Sequence, residues 1–195
     1  MSRRSCSAAL AVLCALATPV GGLLYNSDNP VGPPVLFGGM LGFPVVVGLL
    51  TKRPALGAVA FVISCVSMIV GIQHAAPAWM VFNGEVLTSC QVVDKRAVKQ
   101  RTAPSYSVSV VDCGGRRFDY QPLSSTSEPI GKVGASTSIV VDRTGPLRPV
   151  RPSDVTPVAP WTVAGTTLFA LLFVAFCVTR PPVDTRRRKI EKEFL

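Results

Sequence analysis

Residues able to do chemistry are few in this chain, and they are scattered. There is one histidine, His74, so any Ser-His or Cys-His nucleophile would have to use it. Of the eleven carboxylates, those in the long polar segment stand at Glu85, Asp94, Asp112, Asp119, Glu128, Asp142 and Asp154. Their spacing singles out no pair for general acid–base work or glycoside hydrolysis. An enzyme would need Asp112, Asp119, Asp142 or His74 to converge on one cleft. There is no Cys-x-x-Cys, His-Glu-x-x-His, Gly-x-Ser-x-Gly or phosphate-loop pattern, so the motifs imply no catalytic residue, no metal and no cofactor. The acids read as solvated surface or cross-strand partners, and His74 as an interfacial residue.

Six cysteines remain. Cys90 and Cys113 share one polar segment, whereas Cys6, Cys14, Cys65 and Cys177 lie in or near apolar runs. In an oxidising compartment the first two are expected to pair. The alternative is two buried free thiols. Closing that loop would stabilise the segment by roughly 3 kcal/mol in the chain-entropy picture.

The elements that carry these residues follow from composition. The chain has 195 residues, 48% hydrophobic and only 16% charged, with a net charge of +9. An ordinary soluble domain has about a quarter of its residues charged, and here the apolar excess is gathered into runs long enough to cross a bilayer. The clearest spans are 55–73 and 161–179, uncharged throughout. Two weaker ones are 8–24 and 35–50, diluted by Gly and Pro, which membrane helices tolerate. The first has a competing reading as a signal peptide, because Arg3 and Arg4 precede an apolar stretch that reaches Ala15-Leu16-Ala17. Its continuation to Tyr25 favours a retained helix. The expected layout is therefore a membrane region over 1–79, a β domain over 80–145, a Pro-rich return linker over 146–160, a fourth helix over 161–179 and a basic tail over 180–195.

Basic residues near span ends orient membrane proteins, with acids counting for little. Arg3 and Arg4, Lys52 and Arg53, and Arg186, Arg187, Arg188 and Lys189 fall on flanks that one topology places in the cytoplasm. Both termini are then inside, and residues from about 74 to 160 lie outside the cell membrane. Tyr25, Trp79 and Trp161 fall at span ends on the opposite side, as interfacial anchors do. Most of the charge of +9 is thus an orientation signal, with contact to lipid headgroups as a by-product, and nucleic acid is not an expected partner.

The spans contain no ionisable residue, which argues against an ion-coupled carrier. They do contain small residues that let helices approach: Gly38 and Gly42 in the second, and Gly57, Ala60, Ser64, Ser67 and Gly71 in the third. Packing within the chain is the expected use, and the oligomeric state is left open.

Residues 80–145 have a different grammar. Val86-Leu87 and Val92-Val93 predict a first strand or pair of strands. Asp94 to Arg101 reads as a charged turn. Tyr106, Val108 and Val110 alternate with serines, and a Gly114-Gly115 loop leads into Arg116 to Gln121. A two-residue Gly-Gly hairpin needs positive φ at both positions and sets Asp112 opposite Arg117 and Val111 opposite Phe118. A last strand spans Ser136 to Asp142. These predict a small antiparallel sheet, barrel- or sandwich-like, followed by a stiff linker through Pro146, Pro149, Pro152, Pro157 and Pro160.

The order Gly84-Glu85-Val86, Tyr106-Ser107-Val108-Ser109-Val110 before Gly-Gly, then Val133-Gly134 and Ile139-Val140-Val141-Asp142 resembles a group of bacterial membrane proteins of unknown function. In that group a small β domain is held between transmembrane helices. The likeness covers about sixty residues, and it departs where the group often has Asp-Pro after the last strand. It implies a β domain and a bacterial envelope setting, and brings no catalytic residue. The expected role is a non-enzymatic membrane protein that displays a disulfide-stapled β domain to bind or scaffold an envelope component. The competing role is an accessory subunit of a transporter or channel working through its helices.

Overall fold

Four stretches of the chain are almost wholly apolar, and in each the backbone satisfies its own polar groups by coiling into a helix. The computed structural model describes residues 3–27, 29–98, 106–122, 130–145 and 147–180. Its helices are α1 (Arg3–Tyr25), α2 (Gly32–Thr51), α3 (Pro54–Asn83) and α4 (Ala159–Thr179). All four are long and apolar enough to cross a membrane. Proline in the first turn of α2, α3 and α4 supplies a preset φ where no amide partner is needed. Each helix extends somewhat beyond its expected span, α3 most of all, because Pro77 is accommodated and the helix continues past Gln73 to Asn83. Its 30 residues reach about 45 Å, against a hydrocarbon thickness of about 30 Å.

The bundle core is built from Ala11, Ala15, Phe43, Val47, Ala60, Ile63, Ala170 and Val174, so α1 is a full member of it. Short turns make α1, α2 and α3 successive antiparallel neighbours. Arg4 donates to the carbonyl oxygens of Val178, at 2.7 Å, and of Arg180, fastening the start of α1 to the end of α4. At the opposite end Asn26 donates through Nδ2 to the Gly22 carbonyl at 2.9 Å and to the Ile72 carbonyl at 3.2 Å.

The polar segment forms one open sheet where a barrel or sandwich was expected. Its strands are β1 (Gly84–Val98), β2 (Tyr106–Cys113), β3 (Arg116–Tyr120) and β4 (Ser136–Asp142), in the order β3-β2-β1-β4 with antiparallel neighbours. β1 is a single strand. Asp94 to Val98, expected as a turn, continues it and pairs with Tyr106 to Val110. Charged residues are accepted there because β2 satisfies the backbone while Asp94 and Arg96 reach solvent. Register shifts follow Leu87 and Val92, bending the strand as bulges do. The Gly114-Gly115 hairpin has φ of 64° and 89° and the expected register, Asp112 opposite Arg117 and Val111 opposite Phe118. One face of the sheet closes over Val92, Val111, Tyr120, Ile130, Ile139 and Val141.

Bundle and sheet join without a connecting loop, since β1 begins at the residue after α3 ends. The return segment, expected as a bare spacer, packs into this joint. Val150 exchanges both backbone hydrogen bonds with Val140, at 2.8 and 3.0 Å. Leu147 and Val150 are buried with Ala76, Met80 and Val140. Leu147 and Val150, set among its prolines, supply the apolar contacts that hold it down, and the segment turns at 152–154 and 157–158 before α4.

Candidate binding surface

The structure sets Asp142 and His74 far from Asp112 and Asp119, which are themselves diagonal neighbours on one face of the β2–β3 hairpin. Asp142 ends β4 opposite Gly84. Asp112 pairs with Gln91, seven positions further along β1, or about 23 Å at 3.3 Å per residue. Asp119 pairs with Val110, which itself pairs with Asp94, and so lies further out again. His74 sits half-buried in α3. Glu128 lies outside the described residues, as do Arg186, Arg187, Arg188 and Lys189.

The carboxylates have structural tasks where they stand. Asp142 is buried and its Oδ1 accepts from the Thr144 amide at 3.0 Å, while the Thr144 hydroxyl lies 2.8 Å from both of its oxygens. The Trp79 indole also donates to it, at 3.3 Å. The ring that sequence reads as a membrane anchor thus ties α3 to the end of β4. Asp112 accepts from the Gly115 amide at 2.8 Å and faces Arg117 at 3.6 Å, fixing the hairpin. The Arg96 guanidinium and the Lys95 amide beside Asp94 hold its carboxyl below the usual range. Cys90 and Cys113 occupy paired positions on β1 and β2 and form the disulfide. The other four cysteines are free thiols.

In the bundle, the small residues that set close approach overlap with those that spacing picks out, but the two sets are not the same. A Cβ on Gly38 would meet open space, whereas on Gly42 it would lie 2.9 Å from Cys14 Sγ. Gly39, which the Gly-x-x-x-Gly pattern passes over, approaches the Cys14 carbonyl at 2.9 Å by the same measure, and Gly22 meets the backbone of Gly71. Gly57 makes an ordinary contact with α2 and Gly71 faces the Thr18 carbonyl at 3.2 Å. Ala60 and Ser64 are buried. Ser67 borders a shallow apolar cleft with Gly165 and Phe169 of α4. Tyr25 and Trp161 are exposed at the end of the bundle nearer the sheet, while Arg4, Lys52, Arg53 and Arg180 gather at the other end. Arg3 lies in the first turn of α1.

A feature with no local sequence signal lies beside β4. A groove of about 820 Å³ is lined by Lys95 of β1, Ser136 and Ser138 of β4, Lys132 of the turn before β4, and Arg151 and Ser153 of the return segment. No carboxylate lines it among the described residues. Arg151 is placed by the Tyr120 ring, 5.8 Å from its centroid. Burial pushes the Tyr120 hydroxyl up from its ordinary pKa, with Arg151 pulling the other way. Arg148 reaches Gln121 with its guanidinium and the Asn26 carbonyl with its amide, the latter at 3.3 Å. Burial lowers its pKa. Three cations and several hydroxyls in one groove form a surface for anions. They come from segments distant in sequence, which is why spacing along the chain does not reveal them.

Comparison with family models, curated proteins and solved structures finds no match to this chain.

Proposed function

We propose that the chain is a non-enzymatic integral membrane protein that holds its disulfide-bonded sheet outside the cell membrane, where the sheet binds or scaffolds another component of a bacterial envelope. The observation that carries this reading is the rigid mounting of the sheet on α3. Helix and strand are continuous, and the joint is sealed by Met80, Val140, Leu147 and Val150 and by the Trp79–Asp142 bond. A fixed platform of this kind suits presentation of a surface. The apolar exterior of the bundle, with Leu49 70% and Trp161 78% exposed, calls for an apolar solvent. Arg4, Lys52, Arg53 and Arg180 at one end favour that end in the cytoplasm, and the disulfide favours an oxidising compartment for the sheet. The distance of Asp142 and His74 from Asp112 and Asp119, and the engagement of Asp112 by Arg117 and the Gly115 amide, favour binding over catalysis.

Two measurements test this. A cysteine placed at Ser153 should react with an impermeant maleimide on intact cells. Reaction only after lysis would overturn the orientation. Replacing residues 84–158 by a short polar linker should abolish capture of a co-purifying partner and the associated phenotype. Survival of both would show that the helices carry the function, as an accessory subunit of a transporter or channel would.

A further inference from the structure

The outer edge of β4 carries a more specific inference, which rests on the display reading above. In an antiparallel sheet, alternate residues of an edge strand turn their amide and carbonyl away from the inner neighbour. Val140 spends both of these groups on Val150. The same alternation turns Ser138 and Ser136 outward on that edge. Register places Pro152 opposite Ser138, and proline has no amide to donate. The return chain leaves the edge there in a turn, with the Asp154 amide on the Arg151 carbonyl at 3.0 Å. Pairing therefore stops at Val150, and the edge continues into the basic groove.

We propose that this edge accepts a short, extended acidic peptide segment from another envelope protein, which adds to β4 as a further strand. Main-chain hydrogen bonds to Ser138 and Ser136 would supply attachment, and side-chain chemistry would supply selection, as in strand addition generally. The selecting charges are Lys95, Lys132 and Arg151, which line the groove with no carboxylate among the described lining residues. Asp94 is engaged by Arg96. Asp154 lies near Tyr120 and outside the groove lining.

Charge disfavours one other occupant and distance from the bundle another. A second copy pairing edge to edge would bring the same cations together, which is how edge strands are protected from self-association. A lipid headgroup would have to reach Ser138, whose level on β1 lies beyond Leu87, more than about 10 Å from the end of α3. α3 itself is already longer than the bilayer core, and electrostatic attraction is screened within about 8–10 Å.

The test uses the full chain in detergent micelles at physiological salt, with a phage-displayed library of random peptides about ten residues long and dextran sulfate as a competing anion. Selection should enrich peptides with Asp or Glu at alternate positions. Lys132→Glu should weaken their binding about tenfold or more. Ser138→Pro should do the same, because it removes an outward amide that the sheet itself does not use. A non-reducing gel and the chromatographic profile verify that each variant is folded. Where Ser138→Pro fails to fold, methylating alternate amides of the selected peptide removes the same bonds from the ligand side and should weaken binding equally.

Enrichment with no acidic bias, no enrichment at all, or binding unchanged by Lys132→Glu or by amide methylation would overturn the proposal. Capture of dextran sulfate alone, equal in wild type and Ser138→Pro, would also overturn it and assign the groove to an acidic glycan. Failure here leaves the display reading intact, since that stands on labelling and on replacement of the whole sheet.

Discussion

In the helix bundle the outward residues are as apolar as the inward ones: Leu49 and Leu172 are 70% and 60% exposed, while Val47 and Val174 are buried. In the sheet the two faces differ, with Val92, Val111 and Ile139 inward and Asp119 and Arg117 outward. The sheet can therefore be ordered by burial of its apolar face, helped by one covalent link. The bundle has no such polarity contrast, and its order rests on which backbones can touch. The same chain thus uses two criteria of fit, one set by solvent and one by shape.

The largest effect expected from this contrast is steric. Gly22→Leu would drive a side chain into the Gly71 backbone and should destabilise the bundle by about 3 kcal/mol or more, read as loss of the monodisperse species in detergent. Gly38→Leu adds the same volume to open space and should leave that profile unchanged. Equal behaviour of the two would mean that shape does not order the bundle.

Next comes the covalent link. Cys90 and Cys113 are separated by 23 residues, so the double substitution Cys90→Ser with Cys113→Ser should destabilise the sheet by about 3 kcal/mol. Amide exchange should accelerate across β1 and β2 while α1 and α2 keep their protection. Acceleration in the helices as well would show that the two regions unfold together.

The joint should respond less. Asp142→Ala removes the acceptor of Trp79 and Thr144 and should cost about 2 kcal/mol, visible as a changed Trp79 fluorescence maximum. Trp79→Phe should lose about 1 kcal/mol.

The smallest effect concerns the far end of β1. The carboxyl of Asp94 is held below its ordinary pKa in the folded chain, so the local bond is present above the unfolded value and is lost as pH falls through the depressed folded value. The Lys95 amide, which donates to Asp94 Oδ1 at 2.7 Å, should shift upfield in NMR only in that acidic window. Asp94→Asn should remove the transition. A transition above the ordinary carboxylate range would reverse the sign.

Much of the layout is legible in sequence because it is local. Uncharged runs mark the helices, Gly114-Gly115 sets a hairpin with its register, alternation marks Tyr106 to Val110 of β2, and Ser136 to Asp142 is read as the strand that forms β4. Other features depend on contacts between distant segments. Gly39 rather than Gly38 faces α1 because successive helical residues point about 100° apart, and spacing alone does not say where the neighbour stands. Asp94 to Val98 reads as a turn until β2 is there to pair with it. The Val140–Val150 bridge, the Trp79–Asp142 bond and the basic groove each join segments that no short window contains.

The splice of α3 into β1 has a mechanical consequence. A loop would let the sheet swivel, whereas a helix that passes directly into a strand fixes its compass bearing. Every helical residue advances that bearing by about 100° and lifts the sheet by about 1.5 Å. The count of residues between Gly71, held against α1, and Gly84 therefore decides which way the basic groove points around the bundle axis. Adding one alanine to that stretch would re-aim the groove by about 100°.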